Sequence, residues 1–133
     1  MDKMNSFEAA KEWHRFAEMD LSTAKHSLIN YPVPFEIIAY HCQQCGEKYL
    51  KSYLVYKDQD VVKTHDLVEL GNLCAVFDES FLDMKQQYKI LTTYITLTRY
   101  PSNLELTDYH IKQAIEYAEE IKSFVLERVA EEN

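Results

Sequence analysis

The pair Cys42 and Cys45, in the run Cys42-Gln43-Gln44-Cys45, has the spacing of a redox or metal-ligating motif. Both sulfurs, however, fall on one apolar stripe with Ile38, Tyr49 and Tyr53, and no second cysteine pair or nearby histidine pair completes a ligand set. Two small buried hydrophobes fit that pattern better, so neither a metal nor a cofactor is expected. The basic residues offer more. Lys48 and Lys51 are three apart in a helical stretch and could both reach an anion, although Glu47 and Lys51, four apart, also suit an ion pair along the helix surface. His65 could contact a ligand or hold its loop, and Asp66 behind it suits the positive end of a helix. Arg99, with Tyr100 beside it, precedes a helix start. A guanidinium there can fork onto phosphate oxygens while unpaired helix N–H groups add donors. The plainer reading pairs Arg99 with Glu105 or Asp108 to fix the loop. His110, in the first turn of the next helix, is a candidate general base, and Arg99 with His110 would be the pair that RNA cleavage needs. An ordinary surface histidine is the alternative.

Five helical stretches must position these groups. Ala10, Trp13, Ala17, Leu21, Ala24 and Leu28 recur at steps of three or four, which predicts a helix from about Ser6 to Ile29. It stops at Asn30-Tyr31-Pro32-Val33-Pro34, where residues preceding proline leave the α region. Pro34 suits the first turn of a second helix running to about Tyr56, with Ile38, Cys42, Cys45, Tyr49 and Tyr53 inward and Glu47, Lys48 and Lys51 on the exposed side. After the polar Lys57-Asp58-Gln59-Asp60, Thr64 is the expected cap of a short helix that buries Leu67, Leu70, Leu73 and Cys74, with Gly71 interrupting its pattern. A fourth helix is expected from about Ser80 to Leu97, built on Phe81, Met84, Tyr88, Leu91 and Ile95. Its β-branched end, from Ile90 to Thr98, also allows a strand. Following a loop from Thr98 to Leu106, Thr107 and Asp108 open a last helix with Ile111, Ala114, Ala118, Ile121 and Val125 inward.

With 133 residues and only two glycines and three prolines, the chain reads as one all-α domain spanning 1–133, an antiparallel bundle of four to five helices with its core at about 6–130. The scarcity of turn residues disfavours a β-sandwich. A net charge of −8 excludes broad, sequence-independent nucleic-acid binding while leaving room for a local basic pocket. No apolar run approaches the roughly 18 residues of a membrane span. The odd cysteine count and the absence of a leader-like N-terminus make cytoplasmic the expected location. Apolar and aromatic surface left over on so small a bundle points to a homodimer.

Four segments in order resemble the HEPN family. They are Trp13, Ala17, Asp20-Leu21 and Ala24; Gln44, Glu47, Lys48, Leu50 and Lys51 in the Q-x-x-E-K-x-L-K pattern; Lys63-Thr64-His65-Asp66-Leu67; and Thr98-Arg99-Tyr100-Pro101. The resemblance spans about residues 10–125. It implies an antiparallel helical bundle, often homodimeric, found alone or beside a minimal nucleotidyltransferase. Many members are RNases of toxin–antitoxin systems that use an R-x(4–6)-H motif, whereas others lack it and bind nucleotides or are non-catalytic. Here ten residues separate Arg99 from His110, and Lys112 stands where the nucleotidyltransferase-linked variant has a tyrosine. The departure favours a binding module for a nucleotide or RNA-like anion at a cleft with Arg99, Tyr100, Lys48, Lys51 and His65. A metal-independent RNase using Arg99 and His110, and a purely structural partner of another protein, are the alternatives.

Overall fold

The computed structural model describes residues 5–96 and 105–130. It is all-helical: α1 (Ser6–His26), α2 (Phe35–Tyr56), α3 (Leu67–Ala75), α4 (Lys85–Thr92) and α5 (Asp108–Leu126), with 3₁₀ turns at Ser27–Ile29, Glu79–Met84 and Thr93–Ile95. Among the described residues no helix is long and apolar enough to cross a membrane.

Helix α2 is the axis of the bundle. Of its 22 residues 13 are buried, on several faces rather than along one stripe. Helix α1 lies antiparallel to it: His14 meets Ser52, Glu18 meets Tyr49, and Asp20 meets Lys48 and His41. Helix α5 runs along another side, with Ile121 against Gly46 and the carbonyl of Ala130 accepting from the Tyr56 hydroxyl. Leu67 of α3 and Leu91 of α4 also close on Gly46, where the missing side chain lets three helices approach the axis. The three cysteines are reduced and buried, and burial pushes the Cys42 thiol up to about 12, so these sulfurs act as packing groups.

Several expectations need correction. Helix α1 ends at His26, and Leu28, expected inside, is 44% exposed. The backbone tightens into a 3₁₀ turn before the Asn30–Pro34 corner, and this rotates Leu28 off the stripe. Asp66, not Thr64, caps α3. Its carboxylate accepts from the N–H groups of Val68 and Glu69, while the Thr64 hydroxyl accepts from the Asp66 N–H and donates to Glu69. Leu73 is 37% exposed, because α3 is short and turns only Leu67, Leu70, Gly71 and Cys74 inward. Gly71 does not break the helix; it is the point at which the Tyr88 ring crosses α3. The fourth segment is helical to Ile95, in three pieces, and takes no strand conformation there. Asp78 caps its first piece by accepting from the Ser80 N–H.

The pairing of α1 with α2 makes stability depend on pH. The Ser52 hydroxyl donates to the Tyr49 carbonyl, so His14 must donate to Ser52 through Nε2–H. Burial lowers the His14 pKa below its usual 6.5, against a smaller opposing effect of Glu18. The folded state therefore favours neutral imidazole. Its contribution is fully present above about pH 6.5 and is lost as pH falls through the depressed folded value. In urea melts, the stability gap between the parent and His14→Gln should narrow between pH 7.5 and pH 5. A gap that is constant or widens toward acid would reject this assignment.

Candidate functional site

The side of α2 away from its apolar stripe carries two polar groups, each anchored by a carboxylate. Asp20 arrives from α1 at the spacing of its buried stripe. One of its oxygens meets Nδ1 of His41 at 2.9 Å and the other accepts from Lys48. Glu47 is only 4% exposed. Its Oε2 accepts from Lys51 at 3.0 Å, and its Oε1 takes Nδ1 of His65 at 2.9 Å and Nε2 of Gln43 at 3.2 Å. Gln43, fully buried, also donates to the His65 carbonyl at 2.9 Å and accepts from Gln44 at 2.7 Å. The loop before α3 is thus tied to the helix by both the backbone and the ring of His65.

The two dyads share one logic. Each carboxylate accepts from Nδ1 of an imidazole, which fixes the ring. His41 and Lys48 sit one turn to either side of Gln44, and Gln44 itself joins the Glu47 group, so the dyads are neighbours on one surface. The side chains of Lys48 and His41 are 25% and 27% exposed, and that of His65 57%. The Glu47–Lys51 pair is sealed beneath them, with side chains 6% and 7% exposed.

Glu47 and Lys51 form the expected ion pair, but not on an exposed side. Because α2 is central, a position opposite its apolar stripe is roofed by neighbouring elements, and the pair is internal. Lys51 is accordingly committed to Glu47. Lys48 is held by Asp20 and His65 by Glu47, and among the described residues no hydrogen bond or ion pair joins the two. Reading the sequence does not single out His41 or Gln43, and Asp20 enters it only within the first HEPN-like segment, without a role. The available signal is an acidic residue, Asp20, at core spacing among Ala17, Leu21 and Ala24. Arg99 and Tyr100 lie outside the described residues. His110 is at the start of α5, where its Nδ1 accepts from the Thr107 N–H at 3.0 Å and completes a capping box. While that bond holds, the neutral ring carries its proton on Nε2, which is the donor tautomer and not the form that takes a proton there. Among the described residues no hydrogen bond or ion pair joins His110 to the α2 network.

The HEPN domain model matches residues 10–129, nearly the whole chain. The chain belongs to the HEPN family. Among solved structures it is similar to TT1696 from Thermus thermophilus, at 25% identity and a TM-score of 0.77, covering 94% of this chain and 99% of that one. It is also similar in fold to ST0689, described as an archaeal HEPN homologue, at 21% identity and a TM-score of 0.71, covering 91% and 98% of the two chains. No curated protein matches the sequence. Within this HEPN chain, the residues that carry the Q-x-x-E-K-x-L-K and K-T-H-D-L patterns are those of the α2 network, since Gln44, Glu47, Lys48, Lys51 and His65 all belong to it.

Proposed function

We propose that this HEPN domain is a non-catalytic module that binds a nucleotide or RNA-like anion through its phosphates, on the outer side of α2. The observation that carries the reading is a local departure from the chain's acidic balance. The chain has a net charge of −8, yet here Asp20 and Glu47 are matched by two ammonium groups, Lys48 and Lys51, with the imidazoles of His41 and His65 beside them. Local fields, rather than net charge, decide where an anion settles. The imidazoles are held through Nδ1 by the two carboxylates, so in the protonated ring Nε2–H would be a donor to a phosphate already fixed in orientation. Lys48 is the ammonium within reach, and Lys51 acts from below by fixing Glu47 and hence His65. Arg99 and Tyr100, on the segment after α4, are further candidates from sequence for the phosphate and the base.

Titration calorimetry with ATP, GTP and a short single-stranded RNA tests the reading. Binding of at least one ligand is expected, weaker in Lys48→Ala and in Arg99→Ala, and weaker as salt rises. No heat from any of the three would reject it. Binding indifferent to Lys48→Ala would place the site elsewhere.

A further inference from the structure

Asp20 occupies the position that an incoming anion would need. Its carboxylate accepts from Lys48 through one oxygen and from His41 through the other, so Lys48, the more exposed of the two ammonium groups described on this side of α2, already has an internal counter-ion. The neighbouring pair behaves differently. Glu47 and Lys51 are nearly inaccessible and also hold Gln43 and His65, so opening them would undo the packing of α2. The Asp20 group lies at the edge between α1 and α2, its lysine and histidine about one-quarter exposed and its carboxylate 11% exposed. An anion can reach this pair without unfolding a helix.

We propose that Asp20 is a built-in competitor: a phosphate binds by taking Lys48 from the Asp20 carboxylate, which stays on His41, and the strength of that internal pair sets the affinity of the site. This inference rests on the α2 surface being the anion site. The Asp20 carboxylate then contributes a negative charge a few ångströms from the bound phosphate. Neutralising it should tighten phosphate binding by roughly fivefold to tenfold, the size expected for one unit charge at contact distance in a largely hydrated setting. His41 acts as the counterweight. By holding one oxygen of Asp20 it keeps the carboxylate from committing wholly to Lys48, so removing the imidazole should weaken binding.

The test is calorimetric titration of inorganic phosphate and of ATP into the full chain, Asp20→Asn and His41→Ala, each confirmed as folded by its thermal melt. Tighter binding to Asp20→Asn with weaker binding to His41→Ala supports the proposal. Binding that appears only in Asp20→Asn supports it as well. Binding to the parent that is unchanged or weakened in Asp20→Asn overturns it and makes Asp20 a positioning residue for Lys48. Should Asp20→Asn fail to fold, Asp20→Ser takes its place: tighter binding supports the competitor role and unchanged or weaker binding overturns it. Silence of the parent and both variants toward both ligands overturns it too, by removing the anion site on which it depends.

Discussion

Lys51→Met is expected to destabilise the domain by roughly 3–5 kcal/mol, the cost of leaving one charge of a buried pair uncompensated. The reason is the position of Glu47. Its side chain is 6% exposed and has Lys51 as its one ammonium partner among the described residues. Gln43, Gln44 and the His65 ring would remain, but none of them supplies a fixed positive charge. Removing the acid should be comparably costly, because Glu47→Leu strands the Lys51 ammonium and also frees His65 and Gln43. The double variant Glu47→Leu/Lys51→Met should be less destabilised than the sum of the two single changes, since two apolar groups leave no charge buried. It should not fully recover, because the Thr64–Asp66 loop loses its anchor at the His65 ring. Urea denaturation of the four proteins supplies the cycle. Additive losses would show that the two charges are hydrated independently and that the pair is not sealed.

That pair also marks where the sequence was legible and where it was not. Helical spacing identified all five helices, and the inward stripes of α2 and α5 lie where the periodicity put them: Ile38, Cys42, Cys45, Tyr49 and Tyr53 on one, Ile111, Ala114, Ala118, Ile121 and Val125 on the other. Periodicity reports which side of a helix is apolar. It does not report how many neighbours the helix will have. For α5, with one covered face, the two questions have the same answer. For α2 they do not, and charged residues opposite the stripe are roofed by tertiary packing.

Thr107 caps α5 as expected, but the cap expected for α3 failed for a related reason. Thr64 and Asp66 both have the chemistry of an N-cap, and the choice between them depends on where Leu67 must enter the core, a tertiary constraint. The candidate site was half legible. Gln44, Glu47, Lys48, Lys51 and His65 lie in recognisable patterns, but the partner of Lys48 comes from α1, 28 residues earlier in the chain. A single sequence gives no signal for such a pairing beyond an acid at core spacing. For that reason Asp20, the residue proposed to set the affinity, enters the sequence reading as part of the first HEPN-like segment but without a partner or a role.

Gly71→Ala should lower stability by about 1–3 kcal/mol, the usual range for overpacking a well-filled core, even though alanine is the better helix former. In an exposed helix the exchange would be worth up to about 1 kcal/mol in the opposite direction. Here a Cβ at position 71 would lie 2.8 Å from Cδ2 of Tyr88, and closer still to Cε2. The question is whether that ring can retreat. Tyr88 is 1% exposed, and its hydroxyl donates to the Phe81 carbonyl at 2.8 Å, so the ring is held at its far end as well as by packing. Moving it would break a buried hydrogen bond and disturb Phe81, whose ring packs on Tyr53 and Phe124 at centroid distances of 4.5 and 4.9 Å. The methyl therefore meets a fixed surface, and α3 must shift away from α4 instead. Pairing the change with Tyr88→Leu makes room, so the double variant should lose less than the sum of the single losses. Equilibrium urea melts with an unchanged denaturant slope would give these differences cleanly. If Gly71→Ala were as stable as the parent, or more so, the ring would be free to yield and the close approach of α3 to Tyr88 would not be a constraint on this fold.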